Sequence, residues 1–107
     1  MGSRRQTQVA ETVAHAAADY FARESNRQSL VTVTRAEVSP DLKEITVCIS
    51  VLPESAETTV LQFAKRSRSD FREYLKEKTV LHPLPVVDFE IDYGEKNRQR
   101  VDDLTRK

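Results

Sequence analysis

Six basic side chains fall within residues 61–80, where there are only three acidic ones. In a helix with 3.6 residues per turn, four of the six share one stripe at spacing i, i+3, i+7 and i+11: Lys65, Arg68, Arg72 and Lys76. Like charges one turn apart repel each other weakly, which favours an external anionic partner such as a phosphate backbone. A solvated helix face would show the same pattern, so the sequence leaves both interpretations open.

Residues that could perform catalysis or bind a metal are scattered along the chain. Three carboxylates alternate along one predicted strand: Asp88, Glu90 and Asp92. Such alternation is more typical of the solvent face of a strand than of a metal site. His15 and His82 are isolated, and Cys48 has no His or second Cys near it in the sequence. We therefore predict no catalytic residue, metal ligand or cofactor; a metal-dependent hydrolase that uses the three carboxylates is a remote alternative.

Composition excludes several functional classes. The 107 residues carry 17 basic and 17 acidic side chains, so a globally basic nucleic-acid coat is excluded, although a local basic patch is not. The two glycines, Gly2 and Gly94, cannot form a dinucleotide-binding motif, a P-loop or a GxxG RNA clamp. A single cysteine fits a reducing cytosol, so we expect a cytoplasmic protein. No apolar run approaches the roughly 20 residues that span a bilayer, so no membrane partner is expected.

Hydrophobic periodicity predicts the elements that would position these residues. In chain order the patterns indicate a helix over 3–24, strands over 30–38 and 43–51, a helix over 56–78, and a third strand that begins after Pro85. The last two strands each have one polar face, so helices can cover only one side of the sheet. Phe89 and Tyr93 fall on the predicted buried face, which disfavours stacking of RNA bases on the open face.

The chain is therefore interpreted as one α+β domain over residues 1–107, with two layers and a three-stranded sheet that has one open face. Residues 1–3 are a possible cloning remnant, and about 95–107 are expected to form a polar tail or a short helix. Ser67 is unusual because it interrupts the apolar stripe of the second predicted helix, where a larger apolar residue is expected.

Several short motifs, in this order and spacing, resemble those of bacterial ribosome-binding factor A. The resemblance covers nearly the whole chain and rests on Arg4-Arg5, Leu30-Val31-Thr32-Val33, Val38-Ser39-Pro40-Asp41-Leu42, Ile45 to Val51, Phe71-Arg72-Glu73-Tyr74-Leu75, Leu84-Pro85, Phe89, Asp92, Arg100-Val101 and Leu104. It implies a type II KH-like fold, α-β-β-α(kink)α-β, in which a helix–kink–helix replaces the glycine-rich RNA loop. The family's kink usually has the pattern Ala-x-Gly, and the matching positions here are Ser67-Arg68-Ser69.

The resemblance also implies a function. Family members are non-catalytic assembly factors that bind the immature small (30S) ribosomal subunit, assist late maturation of 16S rRNA and support growth in the cold. For this chain it implies ribosome biogenesis and rRNA processing by a monomer whose partners are the 30S subunit and 16S rRNA. Contacts with rRNA phosphates are expected at Arg4, Arg5, Lys65, Arg66, Ser67, Arg68, Ser69, Arg72 and Lys76. The alternative is a KH-like protein-interaction module that binds an acidic protein without contacting RNA.

Overall fold

The computed structural model describes residues 4–24 and 29–94, in which three helices pack on one face of a three-stranded sheet. The elements are α1 (Arg4–Glu24), β1 (Leu30–Val38), β2 (Glu44–Leu52), a 3-10 turn (Glu54–Ala56), α2 (Glu57–Arg66), α3 (Arg68–Lys78) and β3 (Val86–Ile91). The predicted α+β architecture and element order are confirmed. The single helix expected over 56–78 is two helices, α2 and α3, as the resemblance implied.

The hairpin between β1 and β2 is closed by a turn in which Asp41 binds the backbone. Its carboxylate accepts hydrogen bonds from the Ser39 hydroxyl at 2.6 Å and from the Lys43 N–H at 3.0 Å. The antiparallel register runs from Leu30 opposite Leu52 to Val38 opposite Ile45, with one irregularity between Val33 and Arg35. The extra residue in β1 belongs to a bulge, which increases the local twist of the strand.

β2 is the central strand, because β3 pairs parallel to it on the side away from β1. Parallel neighbours require a crossover connection, and here α2 and α3 supply it. The two helices therefore lie over β2 and β3, while α1 lies over β1. Gln6 near the start of α1 also donates a hydrogen bond to the Val38 carbonyl at 3.1 Å.

The core lies between the helix layer and the inner face of the sheet. The strands contribute Ile45, Val47, Ile49, Val51, Val87, Phe89 and Ile91, all at most 6% exposed. Phe71 in α3 is fully buried and contacts Tyr20 of α1 and Phe89 of β3, with ring centroids 5.3 and 5.4 Å away. One aromatic side chain thus joins α1, α3 and the sheet.

The prediction for the end of β3 is wrong at two residues. Tyr93 is 63% exposed, whereas Asp92 is buried. The reason is that the strand ends at Ile91, so the alternation of faces does not continue past it. The Asp92 carboxylate accepts hydrogen bonds from Thr34 and Arg35 of β1, which compensate for its burial.

The open face of the sheet is polar, as predicted, and carries mostly acidic side chains. Arg35 forms ion pairs there with Glu37 at 3.1 Å and with Asp92 at 3.3 Å. Cys48 lies under this group and is only 4% exposed. Burial raises the pKa of the Cys48 thiol, although the nearby Arg35 charge lowers it. A thiol that is buried and protonated is a poor nucleophile, which agrees with the prediction of no catalytic cysteine.

The expected tail or short helix over about 95–107 lies outside the described residues, as do residues 1–3. Among the described helices, none has the length and apolar character needed to cross a membrane.

Replacing Phe71 with Ala should lower the free energy of unfolding by about 3–5 kcal/mol, since it removes a buried aromatic ring and leaves a cavity. Urea unfolding followed by circular dichroism measures the effect. Val80→Ala is the control, because Val80 is 99% exposed and its truncation should leave stability nearly unchanged. Equal losses in the two variants would contradict the assigned core.

Candidate nucleic-acid interface

α2 and α3 are separated by a single non-helical residue, Ser67, with φ −90° and ψ 4°. Its N–H is shared between the carbonyls of Phe63 and Ala64, at 3.0 and 3.1 Å, and its own carbonyl accepts the N–H of Phe71 at 2.8 Å. Ser67 therefore ends one helix and begins the next. We name this point the helix break. A negative φ is open to any residue, which explains why no glycine is needed at Ser67 or at the helical Ser69.

Four cations lie along the edge of the helix pair that faces β3, and we call them the basic ridge: Lys65, Arg68, Arg72 and Lys76. Next to the break, Lys65 and Arg68 reach Asp88 of β3. One and two turns further along α3, Arg72 and Lys76 line a groove of about 360 Å³ with residues 81–84. Residues 86–91 form β3, so the four cations border this strand and the segment that leads into it.

Asp88 neutralises part of the ridge. The Lys65 ammonium lies 3.0 and 3.1 Å from its two carboxylate oxygens, and the Arg68 guanidinium lies 3.3 Å from one of them. Partial burial raises the pKa of Asp88, but hydrogen bonds from Lys65 and from the Phe89 N–H, together with the charges of Lys65 and Arg68, outweigh it. The pKa of Asp88 therefore lies below its usual range. Asp88 thus faces Lys65 and Arg68, and Glu73 lines the groove beside Arg72 and Lys76, so the four cations of the ridge outnumber these two carboxylates.

The remaining predicted cations lie apart from the ridge. Arg66 ends α2 and is exposed; it lines an apolar pocket of about 330 Å³ with Phe21 and Phe63. Arg4 and Arg5 are exposed in the first turn of α1. Arg5 lines a groove that shares Leu81, His82 and Pro83 with the groove beside Arg72 and Lys76, so it lies across this segment from the ridge. Arg5 is therefore separated from the ridge by the width of this segment.

The two predicted serines differ in exposure. Ser69 is exposed in the first turn of α3. Ser67 is only 9% exposed, and its side chain lies near the phenol of Tyr20. Ser67 therefore has a structural role: it lies in the apolar stripe of the helix pair, and its side chain faces the interior of the protein beside Tyr20.

Sequence patterns did not indicate a groove of about 790 Å³ between α1 and residues 80–85. It brings together two histidines that the sequence left isolated, His15 and His82, with Arg5 and Lys43. Glu11 and Asp41 also line it, so its fixed charges balance. The helical spacing of the sequence places Arg5, Thr12 and His15 on one face of α1, and this could have indicated one wall of the groove. Only the tertiary structure shows that residues 80–85 form the opposite wall.

The three strand carboxylates do not converge. Asp88 faces the ridge, Asp92 faces Thr34 and Arg35, and Glu90 points from the exposed side of β3 between them. Within residues 4–24 and 29–94, no group of three or more His, Cys, Asp or Glu side chains could hold a metal ion.

Comparisons with known proteins agree with this architecture. The family model described as ribosome-binding factor A matches residues 5–105. The chain belongs to the ribosome-binding factor A family. A curated relative from Bradyrhizobium sp. ORS 278 is 32% identical, and the match covers 98% of this chain and 80% of the relative. A second relative, from Ruegeria sp. TM1040, is 34% identical, and the match covers 97% of this chain and 81% of the relative. Both are ribosome-binding factor A proteins.

Solved structures of the family share the fold at low sequence identity. The crystal structure of ribosome-binding factor A from Thermus thermophilus superposes with a TM-score of 0.71 at 18% identity, covering 80% of this chain and 94% of that one. A homology model of the Thermus thermophilus protein, fitted into a cryo-EM map of a 30S–RbfA complex, gives 0.67 at 20% identity, with 76% and 88% covered. The implied KH-like architecture is thus supported by structures from the family.

The ion pairs of Asp88 make stability depend on pH in the acid range. Because the folded pKa is lowered, these pairs contribute fully above about pH 4, the range in which an unfolded Asp is ionised, and are lost as the pH falls through the folded pKa. We therefore expect the urea midpoint of Asp88→Asn to fall less between pH 6 and pH 3 than that of the wild type. Glu90→Gln, on the same strand, is the matched control and should follow the wild-type curve. If the urea midpoint of Asp88→Asn fell with pH as much as that of the wild type, the ion pairs of Asp88 with Lys65 and Arg68 would be contradicted.

Proposed function

We propose that this protein is a non-catalytic assembly factor that binds the immature small ribosomal subunit through the basic ridge and assists late maturation of 16S rRNA. The observation that carries the proposal is the ridge itself, in which Lys65 and Arg68 share one carboxylate of β3 while Arg72 and Lys76 line the groove beside residues 81–84. Membership in a ribosome-binding factor family, and a related protein described in complex with the 30S subunit, support the same partner.

The chemistry of the ridge suits phosphates rather than bases. Lys and Arg side chains that contact phosphate oxygens fix the position of a protein on RNA without selecting a sequence. The two rings of α3, Phe71 and Tyr74, pack with the core and are not offered to unpaired bases. We therefore propose recognition of rRNA shape and backbone, with contacts from Lys65, Arg66, Arg68, Ser69, Arg72 and Lys76, helped by Arg4 and Arg5.

Ser67 enters this proposal through its position at the helix break, not through a contact of its buried hydroxyl with RNA. The opposite side of the domain is unsuited to RNA, since Glu37, Glu44 and Glu90 are exposed on the open face of the sheet. A chain with no net charge can therefore present a cationic surface to RNA when it binds in one orientation, with the helices facing the RNA.

The double variant Arg72→Glu/Lys76→Glu should lose at least about tenfold in affinity for purified small subunits at 0.1 M salt, because two phosphate contacts are replaced by repulsion. For the wild type, contact with about three phosphates predicts a slope of about −2 to −3 for log affinity against log salt. In the double variant this slope should become shallower by about two. Fluorescence anisotropy of labelled protein, titrated with subunits at graded salt, measures both.

Arg23→Glu/Lys78→Glu is the matched control, with the same change in total charge. These two cations lie over the ring of Tyr74, 5.4 and 5.9 Å from its centroid, and so flank the side of α3 that faces α1. Their reversal should change affinity far less. Similar losses in the two double variants would show that total charge, and not the ridge, governs binding.

Sedimentation separates rRNA binding from the alternative of a protein-interaction module. The wild type should co-sediment with precursor small subunits and with 16S rRNA stripped of ribosomal proteins. Co-sedimentation that vanishes on stripping would favour a protein partner and contradict direct contact with rRNA.

Asp88→Asn should raise affinity for small subunits about two- to fivefold at 0.1 M salt and steepen the salt dependence by up to about one, since Lys65 and Arg68 no longer share a carboxylate. The same titrations test it, with Glu90→Gln again as the control of equal charge change. Lower affinity in Asp88→Asn would contradict this expectation. It would mean that the main effect of the carboxylate is to orient Lys65 and Arg68 toward phosphate, and not to compete with phosphate for them.

A further inference from the structure

α1 reaches the helix break through one buried side chain, Tyr20, which is 4% exposed. Its phenol donates a hydrogen bond to Asp70 Oδ2 at 2.7 Å, and the Ser67 side chain lies near the same phenol. Ser67 is the residue between α2 and α3, and Asp70 lies in the first turn of α3. We call these three residues the phenol latch.

The protonation of the Tyr20 phenol does not change over the physiological pH range. Burial and the hydrogen bond to Asp70 raise the pKa of Tyr20 to about 12, while the nearby Ser67 side chain acts in the opposite direction. The phenol therefore stays protonated and donates to Asp70. Its ring is held as well, edge-on against Phe71 and Tyr74 with centroids 5.3 and 5.5 Å away.

A break of one residue does not by itself fix the angle between two helices. Small changes in φ and ψ at Ser67 would swing α3 relative to α2, and the backbone at this residue lies in a region open to any side chain. Contacts from outside the helix pair must therefore set the angle. The packing of Phe71 against Tyr20 and Phe89 is one such contact, and the phenol latch adds a directional one, since its hydrogen bond joins the first turn of α3 to α1.

The ridge depends on this angle, since Lys65 precedes the break and Arg68, Arg72 and Lys76 follow it. We propose that Tyr20 is a positioning residue for phosphate binding, which holds the cations of α2 and α3 at the spacing that one RNA backbone can engage at once. The proposal rests on the proposed function of the ridge, but it concerns a residue that cannot touch RNA itself. It predicts that a hydroxyl buried in α1 affects the affinity for small subunits.

The first test removes that hydroxyl alone. Tyr20→Phe keeps the ring in the core, whereas the hydrogen bond from the phenol to Asp70 is lost. We expect an affinity for purified small subunits lower by about threefold or more, and a shallower salt dependence, in a protein that circular dichroism shows to be folded at the temperature of the titration. Tyr74→Phe makes the same chemical change on a ring of the same cluster and should bind like the wild type.

The second test separates positioning from charge at Asp70, whose exposed position tolerates substitution. Asp70→Asn and Asp70→Ala remove the same negative charge, but only the amide oxygen of Asn can still accept the phenol's hydrogen bond. Charge alone predicts equal affinities for the two variants. Positioning predicts that Asp70→Asn binds about threefold or more tightly than Asp70→Ala, with a steeper salt dependence.

The outcomes distinguish the two proposals. If the wild type fails to bind small subunits, the proposed function is overturned, and the positioning role falls with it. If the wild type binds and Tyr20→Phe binds equally well, or the two Asp70 variants have equal affinity, the positioning role alone is overturned. A loss of affinity in Tyr20→Phe without a matching difference between the Asp70 variants would also contradict it, since the phenol would then act through stability and not through α3.

Discussion

The burial of Phe71 determines where the basic side chains of α3 lie. Its ring contacts Tyr20 of α1 and Phe89 of β3, so α3 can face the core with only one side. On a helix, residues one and five positions after Phe71 then point away from that core toward the segment before β3. Arg72 and Lys76 occupy those positions. The hydrophobic core and the basic ridge are thus two consequences of one packing arrangement.

Charge separation explains how a neutral chain can be suited to an anionic partner. The helix side carries the ridge, and the open sheet face carries exposed glutamates together with the Arg35–Glu37–Asp92 group. The net charge of zero does not reveal this division. Under the proposed function, long-range attraction to RNA would be weak, and binding would depend on local contact in the correct orientation.

The two carboxylates beside the ridge act differently. Asp88 binds Lys65 and Arg68 directly and so lowers the charge available to phosphate. Asp70 faces inward to the Tyr20 phenol and connects the break to α1. The same residue type therefore limits the strength of the site in one position and supports its shape in the other, and the difference comes only from the partner each carboxylate reaches.

Periodicity within single segments was enough to predict the strands, the element order and the inner face of β2, whereas the division of the helix over 56–78 into α2 and α3 came only from the family resemblance. The sequence also indicated the family, because the motifs are local and ordered. It could not determine the partner of Asp88, the burial of Ser67 by Tyr20, or the exposure of Tyr93 beyond the end of β3. These depend on contacts between residues that are up to 47 positions apart, such as Tyr20 and Ser67, or on where a strand ends against its neighbour, and only the packing of helices on the sheet decides them.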